Sequence, residues 1–81
     1  MALILSDEFQ NDYRKIKDST TKERIKKALA SILENPDKGK NLHYNLKGKK
    51  SVRIGVYRIV YENQKSDIHI LKLGYRKNVY E

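Results

Sequence analysis

The sequence predicts an α+β domain in the order β-α-α-β-β-β: an N-terminal strand, and an antiparallel helical hairpin packed on a largely antiparallel sheet of four strands in all. Three observations carry this. Apolar residues recur at helical spacing in the first half of the chain. Asn35-Pro36 closes that half, because a residue before proline avoids the helical region. After it, β-branched and aromatic residues alternate with polar ones. Helices on one face of an antiparallel sheet make a two-layer α+β arrangement.

Residues 2–5 (Ala-Leu-Ile-Leu) read as a short apolar strand. Ser6 is a suitable N-cap, and Asp7 and Glu8 suit the positive end of a helix dipole. Phe9, Tyr13 and Ile16 follow at i, i+4 and i+7, one apolar stripe on a helix ending near Lys17. Thr20 and Glu23 fit a capping box for a second helix. Ile25, Ala28, Leu29, Ile32 and Leu33 form its apolar face, while Lys22, Arg24, Lys26 and Lys27 largely face away. A connection this short makes the pair an antiparallel hairpin.

Leu42, Tyr44 and Leu46 alternate before the basic run at 47–50 interrupts them. Residues 52–54 form a strand, and Gly55-Val56 makes a tight two-residue connection. Residues 57–62 are the strongest strand in the chain, and residues 68–73 the next, across the polar loop 63–66. Alternation sends Arg58 and Val60 to one face and Tyr57, Ile59 and Tyr61 to the other. Arg58 is therefore expected on the at least partly open face, near Arg53 of the neighbouring strand.

The chain has 81 residues, which predicts a single domain over 1–81. It has no cysteine, no glycine-rich nucleotide loop and no Cys/His cluster for a structural zinc. The residues call for no metal and no cofactor. The apolar N-terminal run is too short for a signal segment, and no stretch approaches ~20 apolar residues. The expectation is a soluble, cytoplasmic protein with no membrane partner.

Charge points to partners. Lys+Arg number 18 against 10 Asp+Glu, a net +8. No acidic residue lies between Asp37 and Glu62, where Lys38, Lys40, Lys47, Lys49, Lys50, Arg53 and Arg58 all fall. A charge run is ordinarily a solvated face, but arginines inside strands do not help packing. Lys47, Lys49, Lys50, Arg53 and Arg58, together with Arg76 and Lys77, make a candidate phosphate-binding set. A sheet displaying arginines and tyrosines suits single-stranded RNA. Tyr75, Arg76 and Tyr80 could stack a base and hold phosphate, or Tyr80 could simply dock the tail. His43 and His69 share no motif, so a paired-histidine acid–base site has little support.

Residues 46–62, "LKGKKSVRIGVYRIVYE", and 68–81, "IHILKLGYRKNVYE", resemble the RelE toxins of the RelE/ParE superfamily. The shared pattern is a Leu-x-Gly turn, an Arg-Ile-Gly-x-Tyr-Arg double strand and a Gly-x-Arg…Val-Tyr ending, and it spans essentially the whole chain. The resemblance implies a toxin of a type II toxin–antitoxin pair. Such toxins cut mRNA in the ribosomal A site through attack by the RNA's own 2′-hydroxyl, without metal. It implies an acidic RelB-like antitoxin as partner, with any oligomer formed through the antitoxin, and the ribosome and mRNA as targets.

By position, Arg58 would support the scissile phosphate, and Arg76 would stabilise phosphate and could donate a proton. Tyr80 would stack on the mRNA. Arg53 and Lys47 match further basic positions, and Lys49, Lys50 and Lys77 add RNA contacts. The chain departs from its best-known relatives in carrying Ser51 and Arg53 where two lysines stand one residue apart. Arginine stays protonated and is a poor general base, which leaves Lys49 or Lys50 for that role or leaves the step unassisted. Two other readings stay open: a ParE-like inhibitor of DNA gyrase, and a catalytically weak RNA- or protein-binding relative.

Overall fold

The computed structural model describes residues 2–42 and 48–75, with the backbone alone at Tyr75. β1 (Ala2–Leu5), α1 (Asp7–Lys15) and α2 (Ser19–Glu34) precede β2 (Lys40–Asn41), β3 (Lys50–Ile54), β4 (Tyr57–Asn63) and β5 (Asp67–Tyr75). The strands form one sheet in the order β1-β5-β4-β3-β2. β1 runs parallel to β5 and the other pairings are antiparallel. The α+β class holds, with five strands instead of four. The added one is the pair Lys40–Asn41, which is too short and too polar to produce an alternating signal. It is held against β3 by the bonds Leu42 N to Lys49 O and Lys50 Nζ to Asn41 Oδ1.

Ser6 caps α1 as expected, accepting from Phe9 N at 3.0 Å. Its hydroxyl also donates to Leu71 O and its N–H to Ile70 O, which ties the helix start to β5. The helix stops at Lys15, before the predicted end, because Ile16 turns extended at ψ 123°. Ile16 is buried nonetheless.

The start of α2 differs from the predicted capping box. Asp18, not Thr20, is the N-cap, and its carboxylate accepts from Thr20 N and Thr21 Oγ1. A carboxylate there answers both the unpaired amides and the helix dipole. Glu23 instead lies 3.5 Å from Lys26. Lys22 does not face away, since its ammonium sits over the Tyr13 ring at 5.1 Å. Leu33, assigned to the apolar face, is exposed, whereas Ile25 and Ile32 are fully buried.

The Thr21 hydroxyl, followed by the Thr20 amide, holds the Asp18 carboxyl below its ordinary value of 3.8. A depressed folded value means this contribution is complete above the ordinary value and is lost as pH falls through the folded one. We expect Asp18→Asn to flatten the fall of Tm below about pH 4, measured by circular dichroism from pH 7 to pH 2.

The core lies between the helices and one sheet face. Phe9, Ile16, Ile25 and Ile32 pack on Ile54, Ile59, Tyr61, Ile68, Ile70 and Leu73. β5 carries a bulge: Val60 pairs with Lys72 but Tyr61 with Ile70, so Leu71 is extra. The bulge turns Leu73 into the core and places Gly74 opposite Arg58. Leu71 joins Leu42 and Val60 in a small apolar cluster separate from the main core.

Gly55 opens the β3–β4 connection at φ 58°, a conformation glycine adopts without strain. Gly39 serves close approach, because a Cβ there would stand 2.5 Å from the Tyr61 hydroxyl. That hydroxyl accepts from Gly39 N at 3.0 Å and donates to Pro36 O at 2.7 Å. Burial pushes the phenol up, so it stays a neutral donor through neutral pH. Gly39→Ala should cost about 1–3 kcal/mol by overpacking, and Tyr61→Phe a similar amount, about 1–3 kcal/mol, by leaving two backbone groups unbonded. Urea titration of both variants checks this. Among the described residues no helix is long and apolar enough to cross a membrane.

Candidate nucleic-acid interface

The β3–β4 hairpin builds the site. Its two-residue connection pairs Ile54 with Tyr57, and the next pair outward is Arg53 with Arg58. The two guanidinium side chains therefore leave adjacent strands directly across from each other, on the face away from the core. Like charges so placed repel, and a phosphate between them converts that repulsion into attraction. On the other side of β4, Arg58 faces Gly74, which has no side chain to cover it.

Arg58 is more enclosed than alternation implied. Only 7% of it is exposed, while Arg53 is exposed. Alternation gives the face of a residue but not its depth. Arg58 Nη1 donates to Ser51 Oγ at 2.7 Å, and Ser51 is itself 2% exposed. Ser51 opposes Val60, two residues along β4 from Arg58, so it is a diagonal neighbour within reach of a long side chain. In the sequence Ser51 stands out only as a departure from a lysine pattern. The register fixed by Gly55-Val56 was the signal that would have found the contact.

The predicted RNA-binding lysines divide. Lys49 is half-buried just before β3, and its carbonyl accepts from Leu42 N. Lys50 alternates away from Arg53 and spends its ammonium on Asn41, so it does not join the arginines. Lys47, Arg76, Lys77 and Tyr80 lie outside the described residues, as does His43. His69 sits half-buried in mid β5 between Ile4 and Glu62, as its alternation implied.

A separate cleft between α1 and β5 is lined by Glu8, Asp12, Lys15, Tyr57 and Lys72. Its charge is mixed, and the Lys72–Glu8 pair at 3.8 Å is solvent-exposed and weak. Among the described residues no group of three or more His, Cys, Asp or Glu could hold a metal ion. The arginine face can thus bind and polarise an anion through charge and N–H donors.

The same strand–helical hairpin–sheet architecture, covering nearly the whole chain, recurs in solved toxins. A YoeB dimer from Staphylococcus aureus aligns with a TM-score of 0.80 at 26% identity, over 94% of this chain and 97% of that one. The toxin of a heterotetrameric YoeB–YefM toxin–antitoxin complex, also from Staphylococcus aureus, aligns at 0.77 with 27% identity, over 91% and 94%. The intact E. coli RelBE toxin–antitoxin complex shares the fold at 0.76 with 23% identity, over 90% and 93%. No curated protein matches the sequence. The chain belongs to the family of ParE toxins of type II toxin–antitoxin systems, whose family model matches residues 3–80.

Proposed function

We propose that this toxin is a metal-independent, ribosome-dependent mRNA endoribonuclease acting in the cytoplasm, and that an acidic antitoxin neutralises it. The observation that carries the reading is the cross-strand pair Arg53 and Arg58 on the face the helices leave uncovered, with Arg58 bonded to Ser51. In the reaction the 2′-oxygen attacks the adjacent phosphorus and the bond to the 5′-oxygen breaks. This leaves a 2′,3′-cyclic phosphate and a 5′-hydroxyl. One proton leaves the 2′-hydroxyl and one reaches the departing oxygen.

Negative charge grows on the phosphorane, and Arg58 and Arg53 would stabilise it from fixed positions. Arg76 follows Gly74, the cross-strand neighbour of Arg58, by two residues in the chain. It would add a third cation and the proton donor, while Tyr80 would stack a neighbouring base. Lys47, Lys49 and Lys77 would hold flanking phosphates, and Lys49 is the candidate base. With so little acid–base equipment, in-line placement of the 2′-hydroxyl would fall largely to the ribosome. The complexes of relatives with antitoxins support an antitoxin as partner.

The ParE description of the family favours a second reading, inhibition of DNA gyrase. Expression of the toxin alone decides between them. We expect growth arrest with mRNA cut inside codons, relieved by Arg76→Ala and by Tyr80→Ala with unchanged circular dichroism. Arrest with intact mRNA and lost supercoiling would favour gyrase. Undiminished toxicity of both variants would refute the site.

A further inference from the structure

We infer that Arg24 of α2 is a phosphate-binding residue that carries the RNA-binding surface around the end of the β3–β4 hairpin, next to Arg53. Its ligand is a backbone phosphate of single-stranded RNA, further along the strand than the phosphate held at the arginine pair. The role rests on the RNA-binding reading above. Three observations carry it.

First, α2 brings Arg24 to the hairpin. Ile25 beside it is fully buried and shares the core with Ile54, so this turn of the helix is pressed on the sheet. Arg24 itself is exposed, as its place off the apolar face implied. Yet its guanidinium lies against the β3–β4 connection: a Cβ built at Gly55 would meet Arg24 Nη1 at 3.4 Å. Gly55 has no side chain to hold it off.

Second, the spacing suits one RNA strand. Gly55 is two residues from Arg53, a distance of at most about 7 Å along the backbone. Arg53 leaves the hairpin on the face the helices leave open, and Arg24 reaches the end of the same hairpin from the helix layer. A strand passing over that end meets cations from both layers. A single strand is held by cations that track its backbone, and the planar fork of arginine pairs two N–H donors with one phosphate.

Third, the donors are unspent. Among the described residues, the side chains of Arg24 and Arg53 make no hydrogen bond and no ion pair. The acids nearest in sequence are engaged elsewhere. Glu23 lies 3.5 Å from Lys26, the Asp18 carboxylate accepts from Thr20 N and Thr21 Oγ1, and Glu62 accepts from Gln64. Two guanidinium groups at one hairpin end, with no carboxylate between them, form a site for an anion.

The test is equilibrium binding of purified toxin to a fluorescein-labelled oligouridylate with 2′-O-methyl groups, which the toxin cannot cleave. Anisotropy is read across a salt series for the parent, Arg24→Gln, Arg24→Lys and Lys26→Gln. Arg24→Gln should bind more weakly, and the slope of log K against log salt should become shallower by about 0.7, the value of one phosphate contact to a single strand. Arg24→Lys keeps the charge and should keep the parent's slope. Lys26→Gln removes the same charge from the same helix, but on the side that faces Phe9 and Tyr13 of α1, and should leave the slope unchanged. A parent slope in Arg24→Gln overturns the inference and leaves Arg24 to an acidic protein surface. An equal loss in Lys26→Gln overturns it too, since the effect is then net charge alone. So does a parent that binds no oligonucleotide.

The ribonuclease reading fails separately. A parent that binds the oligonucleotide with the Arg24-dependent slope but leaves mRNA intact on programmed ribosomes refutes cleavage and keeps the phosphate contact. A parent that cleaves, with an unchanged slope in Arg24→Gln, refutes only the role of Arg24.

Discussion

Arg58→Met is expected to silence the toxin and to leave its fold in place. Removing one fixed charge-stabilising donor from a site of developing negative charge costs about 10²- to 10³-fold in rate. The fold should survive the change at a modest cost. Methionine fills much of the volume of the arginine stem, and the buried Ser51 hydroxyl left without its Arg58 bond costs about 1–3 kcal/mol. The substitution also removes the like charge facing Arg53, a repulsion on the order of 0.2–1 kcal/mol. Arg53→Thr should show the same pattern more weakly, because Arg53 is the exposed member of the pair. Growth after induction and thermal unfolding of the purified variants are the measurements. An Arg58→Met protein as toxic as the parent would contradict the assignment, and so would one that loses toxicity because it no longer folds.

Ile59→Ala gives the opposite dissociation. Ile59 is one residue from Arg58 but points into the core, fully buried between Val52 and Leu73 on the neighbouring strands. Truncation removes the transfer energy of the side chain and leaves a cavity, together about 2–5 kcal/mol. A domain of 81 residues holds on the order of 4–12 kcal/mol in total. The variant should therefore unfold near physiological temperature and lose toxicity together with its circular dichroism signal. Ile59→Val should cost only about 0.5–1.5 kcal/mol and stay toxic. Retention of full stability by Ile59→Ala, read by urea titration, would contradict the assignment of the two β4 faces. The pair Arg58→Met and Ile59→Ala thus separates loss of the site from loss of the fold at adjacent positions.

The main lines of the fold were legible because its strongest signals are local. Alternation along residues 57–62 sorts β4 into two faces, and Gly55-Val56 is short enough to impose the register that pairs Arg53 with Arg58. What the sequence hid depended on contacts between distant segments. The bulge at Leu71 of β5, opposite Val60 and Tyr61, leaves no mark in composition, and the carbonyls of Ile70 and Leu71 there are bonded by Ser6 from the far end of the chain. β2 is two polar residues long and exists because β3 offers an edge. Asp18 and Thr20 are both capping residue types, and propensity does not choose between them. The depth of Arg58 and its bond to Ser51 follow from side-chain packing, which alternation does not encode. The remaining site assignments, Arg76, Tyr80, Lys47 and Lys77, rest on the order of motifs shared with the toxin family.

Cutting of mRNA on the ribosome by the arginine face is open to a direct experiment. Purified toxin is added to ribosomes programmed with a defined message, and cleavage is mapped by primer extension in the presence of a metal chelator at a level that leaves the ribosomes intact. A break within the A-site codon that carries a 5′-hydroxyl is expected with the parent protein and should be lost with Arg58→Met. An intact message, or equal cleavage by Arg58→Met, would contradict it.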